Sequence, residues 1–162
     1  MLDLLSRELN RLAEWAMAVS IGAMTLLVGA QIAGRFLFGY SIFWSDELAR
    51  FLLVWSAFLG MSVGVRRGAH PAVDSFVRAL PPPAARVAFV AAVACSLLFF
   101  LVMVAHGTLL VQRTWPQRSP TLALRMGLPY LAVPLAGLLM ALHTIAAARW
   151  MRGRKAAGDR DG

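Results

Sequence analysis

The chain has 162 residues, 59% of them hydrophobic and 15% charged, with a mean hydropathy of +0.67, yet its net charge is +8 and its pI about 11.4. Soluble domains lie nearer half apolar and a quarter charged, which excludes an ordinary soluble fold, and a disordered chain needs low hydrophobicity. Cys95 stands alone, which excludes a disulfide scaffold, and the length fits a single domain over residues 1–162.

The first predicted element is short. Leu2, Leu5, Leu9 and Leu12 share one helical face, with Arg7, Glu8, Arg11 and Glu14 mostly elsewhere, the pattern of an interfacial helix over residues 2–12. Trp15–Gly34 then runs for 20 residues without a formal charge. That is the length needed to cross a hydrocarbon core of about 30 Å, and a first span over residues 15–37 is expected. The run exceeds the apolar core of a signal peptide, so cleavage is not expected.

The second span is predicted over residues 48–65. Its uncharged run, Phe51–Val65, is short, but Arg50 at its mouth can reach the interface by extending its side chain. Ser45 is the expected N-cap, which places Asp46 and Glu47 in the first turn, where the helix dipole favours anions. Arg50 follows Asp46 by four residues and Glu47 by three, within reach of either. Trp44 suits an interfacial anchor.

Val73, Phe76, Val77 and Leu80 follow a helical repeat over residues 71–80, with Pro71 at its start and Pro81-Pro82-Pro83 at its end. Two readings stay open, a helix lying on the lipid surface and a loop packed on the protein itself. A third span is predicted over 87–112, inside the uncharged run Val87–Gln112, and a fourth over 126–148, inside Met126–Ala148. Pro129 and Pro134 are compatible with a membrane helix. A flexible tail is expected over residues 152–162. The expected fold is therefore an all-α membrane protein with four transmembrane helices and short interfacial helices.

Orientation follows from the basic residues. Arg7, Arg11, Arg66, Arg67, Arg78, Arg86, Arg149, Arg152, Arg154, Lys155 and Arg160 flank the side that both termini share, eleven of the 16, against five on the other side. The positive-inside rule puts both termini in the cytoplasm and explains the charge without a nucleic acid.

Chemistry is sparse. No Asp or Glu falls inside a span, so the chain lacks the buried carboxylate of a self-contained proton- or ion-driven carrier. There is no cysteine pair, no phosphate loop and no metal-spaced His/Glu motif. His106 and His143 invite a bis-histidine haem site, but their positions put them about 20 Å apart in depth. Packing or a local hydrogen bond is the expected role of each, and no cofactor or metal site is expected. Gln31 and Gln112 suit helix–helix hydrogen bonds.

The polar investment lies between Arg35 and Asp74. Arg35-Phe-Leu-Phe, Trp44-Ser-Asp-Glu-Leu-Ala-Arg50, Trp55, Phe58-Leu59-Gly60, Arg66-Arg67-Gly68-Ala69-His70 and Asp74 resemble the small integral-membrane subunit of TRAP transporters, the DctQ-type family. Ser119-Pro120-Thr121-Leu122 and Tyr130-Leu131-Ala132-Val133-Pro134 are similar to the family's approach to its fourth helix. Asp46-Glu47 stand where two Glu are common, Pro71 replaces an aliphatic residue, and Arg125, Gly127 and Pro129 also depart from the pattern.

The resemblance implies a tripartite, sodium-coupled system of the bacterial inner membrane that takes up organic anions, commonly carboxylates. A periplasmic solute receptor captures the substrate, and a large permease subunit carries the substrate and ion sites. The small subunit is then a scaffold for the large one and an aid to receptor docking, with no catalytic or substrate-binding residue of its own. Trp44, Ser45, Asp46, Glu47 and Arg50 would form a cluster at the periplasmic end, near the large subunit. Arg66, Arg67, His70 and Asp74 would fix the cytoplasmic end, and Arg35 and Trp55 complete the candidate partner or structural set. For each, contact with lipid head groups is the competing role. A redox or haem subunit and a membrane adaptor unrelated to transport are the other classes compatible with the residues.

Overall fold

A computed structural model describes residues 2–40, 43–67 and 81–158, with their side chains except those of Leu2, Pro82 and residues 149–158. The described residues form α1 (Leu2–Phe38), α2 (Ser45–Arg66), α3 (Pro82–Thr114), a single turn α4 (Gly127–Tyr130) and α5 (Ala132–Gly158). Four stretches are long and apolar enough to cross a membrane, the last of them Gly127–Ala148, which joins α4 to α5. The predicted helix over residues 71–80, His70 and Asp74 lie outside the described residues.

α1 differs from expectation. Nothing between Leu2 and Phe38 breaks a helix: there is no proline, and Ala13-Glu14 lead straight into the apolar run. The segment expected as a separate helix over residues 2–12 is instead the first three turns of a 37-residue rod. Asp3 in the first turn and Arg35 in the last complement its dipole. The rod ends at Gly39, whose left-handed φ of +64° lets the Tyr40 N–H donate to the Gly34 carbonyl at 3.1 Å.

α3 begins on prolines, whose missing N–H groups cost nothing in a first turn. The join between α4 and α5 has a similar origin. Pro134 has no N–H to give the Tyr130 carbonyl, while Leu131 N–H to Gly127 O and Leu135 N–H to Leu131 O carry the helical path across the break. α5 continues through Gly158, beyond residue 152, where the flexible tail was expected to begin.

α2 packs against α1 and α5, α1 also touches α5, and α3 packs on α5. α2 and α5 run in the same direction, with α1 and α3 opposed. The α1–α2 seam holds Ala13, Met17, Trp55, Leu59 and Val63. The second core joins Phe100 of α3, Ala136 and Met140 of α5, and Phe58 and Val65 of α2.

The most deeply buried side chains are polar or small, His143, Ser6, Ser45 and Ser62, whereas large apolar residues such as Leu26, Phe36 and Leu101 face outward. A water-soluble surface does not carry apolar cover on this scale. It is the arrangement lipid imposes, with small and polar groups at the helix–helix contacts.

α3 and α5 approach closely at Gly107, where an added Cβ would lie 2.9 Å from Pro134 Cδ and 3.0 Å from Val133 Cγ1. A β-branched side chain cannot enter that space without pushing the helices apart. We expect Gly107→Val to lower the unfolding free energy by about 1–3 kcal/mol, the usual cost of overpacking, read as a fall in the thermal midpoint in mild detergent. An unchanged midpoint would show that the helices separate there at no cost.

Candidate functional site

Two polar clusters mark opposite ends of α2. Glu47 and Arg66 are 19 residues apart, or about 29 Å along a helix.

The first cluster lies where α2 begins. The helix starts at Ser45, and the preceding residue, Trp44, is already in the right-handed helical region and makes no side-chain cap bond. The expected Ser45 cap is therefore replaced by a buried Ser45 inside the first turn. Asp46 and Glu47 do occupy that turn, but with different surroundings. Asp46 is exposed. Glu47 is buried, and its Oε2 accepts hydrogen bonds from the backbone N–H groups of Thr121 at 2.9 Å and Leu122 at 3.2 Å.

The expected ion pair from Arg50 to Asp46 or Glu47 is not formed. Arg50 Nε donates instead to the Asp46 backbone carbonyl at 3.4 Å, because the Glu47 side chain has turned the other way, to the loop.

That loop, residues 115–126, is a small structure of its own. Ser119 N–H donates to Leu124 O at 2.8 Å, Leu124 N–H donates to Ser119 Oγ at 3.2 Å, and Met126 N–H donates to Gln117 O at 3.0 Å. Ala123 takes a left-handed φ of +52°, and its carbonyl accepts from Arg118 Nη1 at 3.0 Å. The Arg125 guanidinium stacks 5.2 Å from the centre of the Trp115 ring. The turn is tight enough that a Cβ on Gly127 would lie 2.6 Å from Trp115 Cε3, so this path requires glycine. Held in this shape, the loop presents two N–H groups to Glu47.

The second cluster lies where α2 ends and ties three helices together. Arg66 contacts Asp3 at 3.3 Å and donates to Ser6 Oγ, while Arg67 pairs with Glu14 at 2.8 Å. Asp3 also pairs with Arg7 at 2.9 Å, and Asn10 donates to Glu14 at 2.9 Å. Ser6 Oγ lies 2.8 Å from Nδ1 of His143 on α5. A guanidinium has no acceptor. The Ser6 oxygen therefore accepts from Arg66, and it shares a second hydrogen bond with Nδ1 whose donor is set by the imidazole tautomer. His143 thus acts in a local hydrogen bond, as expected. His106 lies on an exposed face of α3, beside Gly107 at Pro134, and Pro134 is nine residues, or about 14 Å, along α5 from His143. Among the described residues no group of three His, Cys, Asp or Glu comes together as a metal site.

The remaining candidates are dispersed. Arg35 is exposed in the last turn of α1, and Trp55 is half-buried in the α1–α2 seam, away from either cluster. Residues 24–153 match the family described as tripartite ATP-independent periplasmic transporters, DctQ component. The chain belongs to this DctQ family. It is 34% identical over 94 residues to the C4-dicarboxylate TRAP transporter small permease protein DctQ of Vibrio cholerae, a match covering 58% of this chain and 40% of that one. To the protein of the same name from Rhodobacter capsulatus it is 32% identical over 120 residues, 70% of this chain and 53% of that one. A putative TRAP transporter small permease protein of Haemophilus influenzae is 25% identical over 147 residues, with 86% and 87% covered. The chain thus spans about half or less of the first two relatives. Family and apolar helices together make it a multi-pass membrane protein.

The DctQ match includes Glu47, the loop it holds, Arg66, Arg67 and His143, but begins after Asp3, Ser6, Asn10 and Glu14. Those four were also missed as site residues by sequence reasoning. The signal was present: they recur every three or four residues as a polar stripe on an otherwise leucine-faced helix. Read alone, such a stripe is a solvent face. The Thr121–Leu122 amides carried no such signal, because a backbone N–H has no residue identity.

Proposed function

We propose that this chain is the small membrane subunit of a receptor-dependent, sodium-coupled transporter of the bacterial inner membrane, taking up organic anions of the carboxylate class. It acts as a scaffold for a large permease subunit, which carries the substrate and ion sites, and aids docking of the periplasmic solute receptor. Both termini are cytoplasmic on this reading, with eleven of the 16 basic residues on that side. The second polar cluster then faces the cytoplasm and the Glu47 cluster the periplasm, and head groups bind the basic rim.

The observation that carries the proposal is how the carboxylates are used. The described acids lie in the first turn of α2 or in the part of α1 before its uncharged run. Glu47, the buried one, holds loop backbone, and Asp3 and Glu14 hold α2 to α1. Such groups brace a structure; an ion-driven carrier needs a carboxylate free to exchange its cation within a span. The relatives named small permease proteins support the same reading.

The test is reconstitution. Sodium-driven uptake of a radiolabelled C4-dicarboxylate should require this chain, the large permease subunit and the receptor together in liposomes. It should be absent with this chain alone and lost when this chain is omitted. Uptake by the chain unaided would overturn the proposal, and so would full activity without it.

A further inference from the structure

Residues 113–126 carry three arginines, Arg113, Arg118 and Arg125, and no acid. All three are exposed. They lie at the end of the molecule where α2 begins, which holds Arg35 and Arg50 as well, against the two acids Asp46 and Glu47. Glu47 is buried against two loop amides, and Asp46 lines the cavity at the start of α2. Among the described residues, neither acid forms an ion pair with an arginine of the loop.

The decisive pair is Arg118 and Arg125. They stand opposite each other in an antiparallel bridge. Side chains so placed emerge on one face with their Cβ atoms about 4.5–5.5 Å apart, and like charges there are unfavourable. Both are also held in place. Arg118 Nη1 donates to the Ala123 carbonyl at 3.0 Å, and the Arg125 guanidinium lies 5.2 Å from the centre of the Trp115 ring. The backbone beneath them is fixed by the Ser119–Leu124 and Gln117–Met126 hydrogen bonds. Each guanidinium keeps N–H donors for a further acceptor. The hairpin is thus a rigid, doubly cationic face whose charge is left for a second molecule to neutralise.

We propose that this face docks the periplasmic solute receptor, with Arg118 and Arg125 receiving carboxylates of an acidic patch on it and Arg113 adding longer-range attraction. The inference rests on the subunit reading above and names the surface through which docking occurs. Two features favour an acidic protein over lipid head groups. Basic residues that serve topology collect on the cytoplasmic side, and these stand on the opposite one. Mobile side chains suffice to follow a head group, whereas arginines tied to a bonded hairpin are preorganised for a partner of fixed shape, which lowers the ordering cost of binding. Guanidinium–carboxylate pairing supplies direction, and an unbalanced basic face speeds the encounter.

The test uses the complete transporter in liposomes, with uptake measured against receptor concentration. Combining Arg118→Gln with Arg125→Gln should raise the half-saturating receptor concentration about tenfold, the scale of lost charged contacts, and flatten its dependence on ionic strength. The large permease subunit should co-purify with the double variant as it does with the parent. The shift should be the same in vesicles of phosphatidylcholine alone and in vesicles with phosphatidylglycerol added. Independently, Gln117→benzoylphenylalanine, exposed beside Arg118, should photo-crosslink to the receptor in the otherwise unaltered transporter, and this result decides if the double variant fails to fold.

An unchanged half-saturating concentration in a folded double variant would overturn the docking face and leave the subunit reading intact. A shift confined to vesicles with phosphatidylglycerol would overturn it too, by assigning the arginines to head groups, as would crosslinking only to lipid or to the large permease subunit. If uptake by the parent transporter does not need this chain, the subunit reading falls and the docking face with it.

Discussion

Glu47→Ala should release the 115–126 loop and lower the unfolding free energy by about 2–4 kcal/mol, from two charge-assisted hydrogen bonds lost in a buried setting. The magnitude follows from what is left behind. The Thr121 and Leu122 N–H groups reach Oε2 at 2.9 and 3.2 Å in the parent. Elsewhere in the loop Ser119 pairs with Leu124 and Met126 N–H with Gln117 O, so the fold of the loop does not depend on these two bonds alone. Two half-buried donors without partners cost more than the net worth of the bonds themselves. The effect should concentrate in the loop: limited proteolysis between Trp115 and Met126 should accelerate well before the helices unfold. Glu47→Gln should retain most of the lost stability, because one amide oxygen serves both donors. Equal damage from both substitutions would mean that the negative charge, and not acceptor geometry, holds the loop.

The second large effect is at Ser6. Its hydroxyl is fully buried and is the common atom between Arg66 of α2 and His143 of α5. Ser6→Ala removes one oxygen and almost no volume, so packing is kept while two polar partners lose their contact. We expect about 2–4 kcal/mol of destabilisation, from stranding a guanidinium donor and an imidazole nitrogen out of water. Arg66 keeps Asp3 at 3.3 Å, so the larger share falls on His143. Adding His143→Leu should therefore recover part of the loss, since it replaces the stranded nitrogen by apolar volume, and the double-mutant cycle should show coupling of about 0.5–3 kcal/mol. Strict additivity of the two substitutions, measured as unfolding midpoints in detergent, would show that Ser6 and His143 do not act as a unit.

Both predictions concern contacts across long stretches of chain, and these were the parts of the structure least legible in the sequence. Glu47 was readable as a first-turn acid, but not as the anchor of a loop 74 residues away. Arg50 was a plausible ion-pair partner on spacing alone. Spacing places it near Asp46 and Glu47 but does not say which way each side chain turns, and the loop competes successfully for Glu47 with two fixed donors. His143 was readable as a packing or hydrogen-bonding histidine, while Ser6 passed as one of several polar residues on an amphipathic face. The separate N-terminal helix was a misreading with a plain cause: a change in amphipathic pattern at Glu14–Trp15 marks a change of surroundings, and a helix bends or breaks only where a residue or a packing contact makes it do so.

The sequence by itself determined the four spans and the sparse chemistry. These depend on sums over neighbouring residues, above all the hydropathy of about 20 side chains. Tertiary structure alone decided which helices pack together and the partners of the buried polar groups. Those outcomes depend on shape at a few contacts, such as Gly107 against Pro134, and on which of several competing donors reaches a carboxylate first. No local sum contains that information, because in a bilayer every span is equally greasy and only the fit of small and polar side chains distinguishes one neighbour from another.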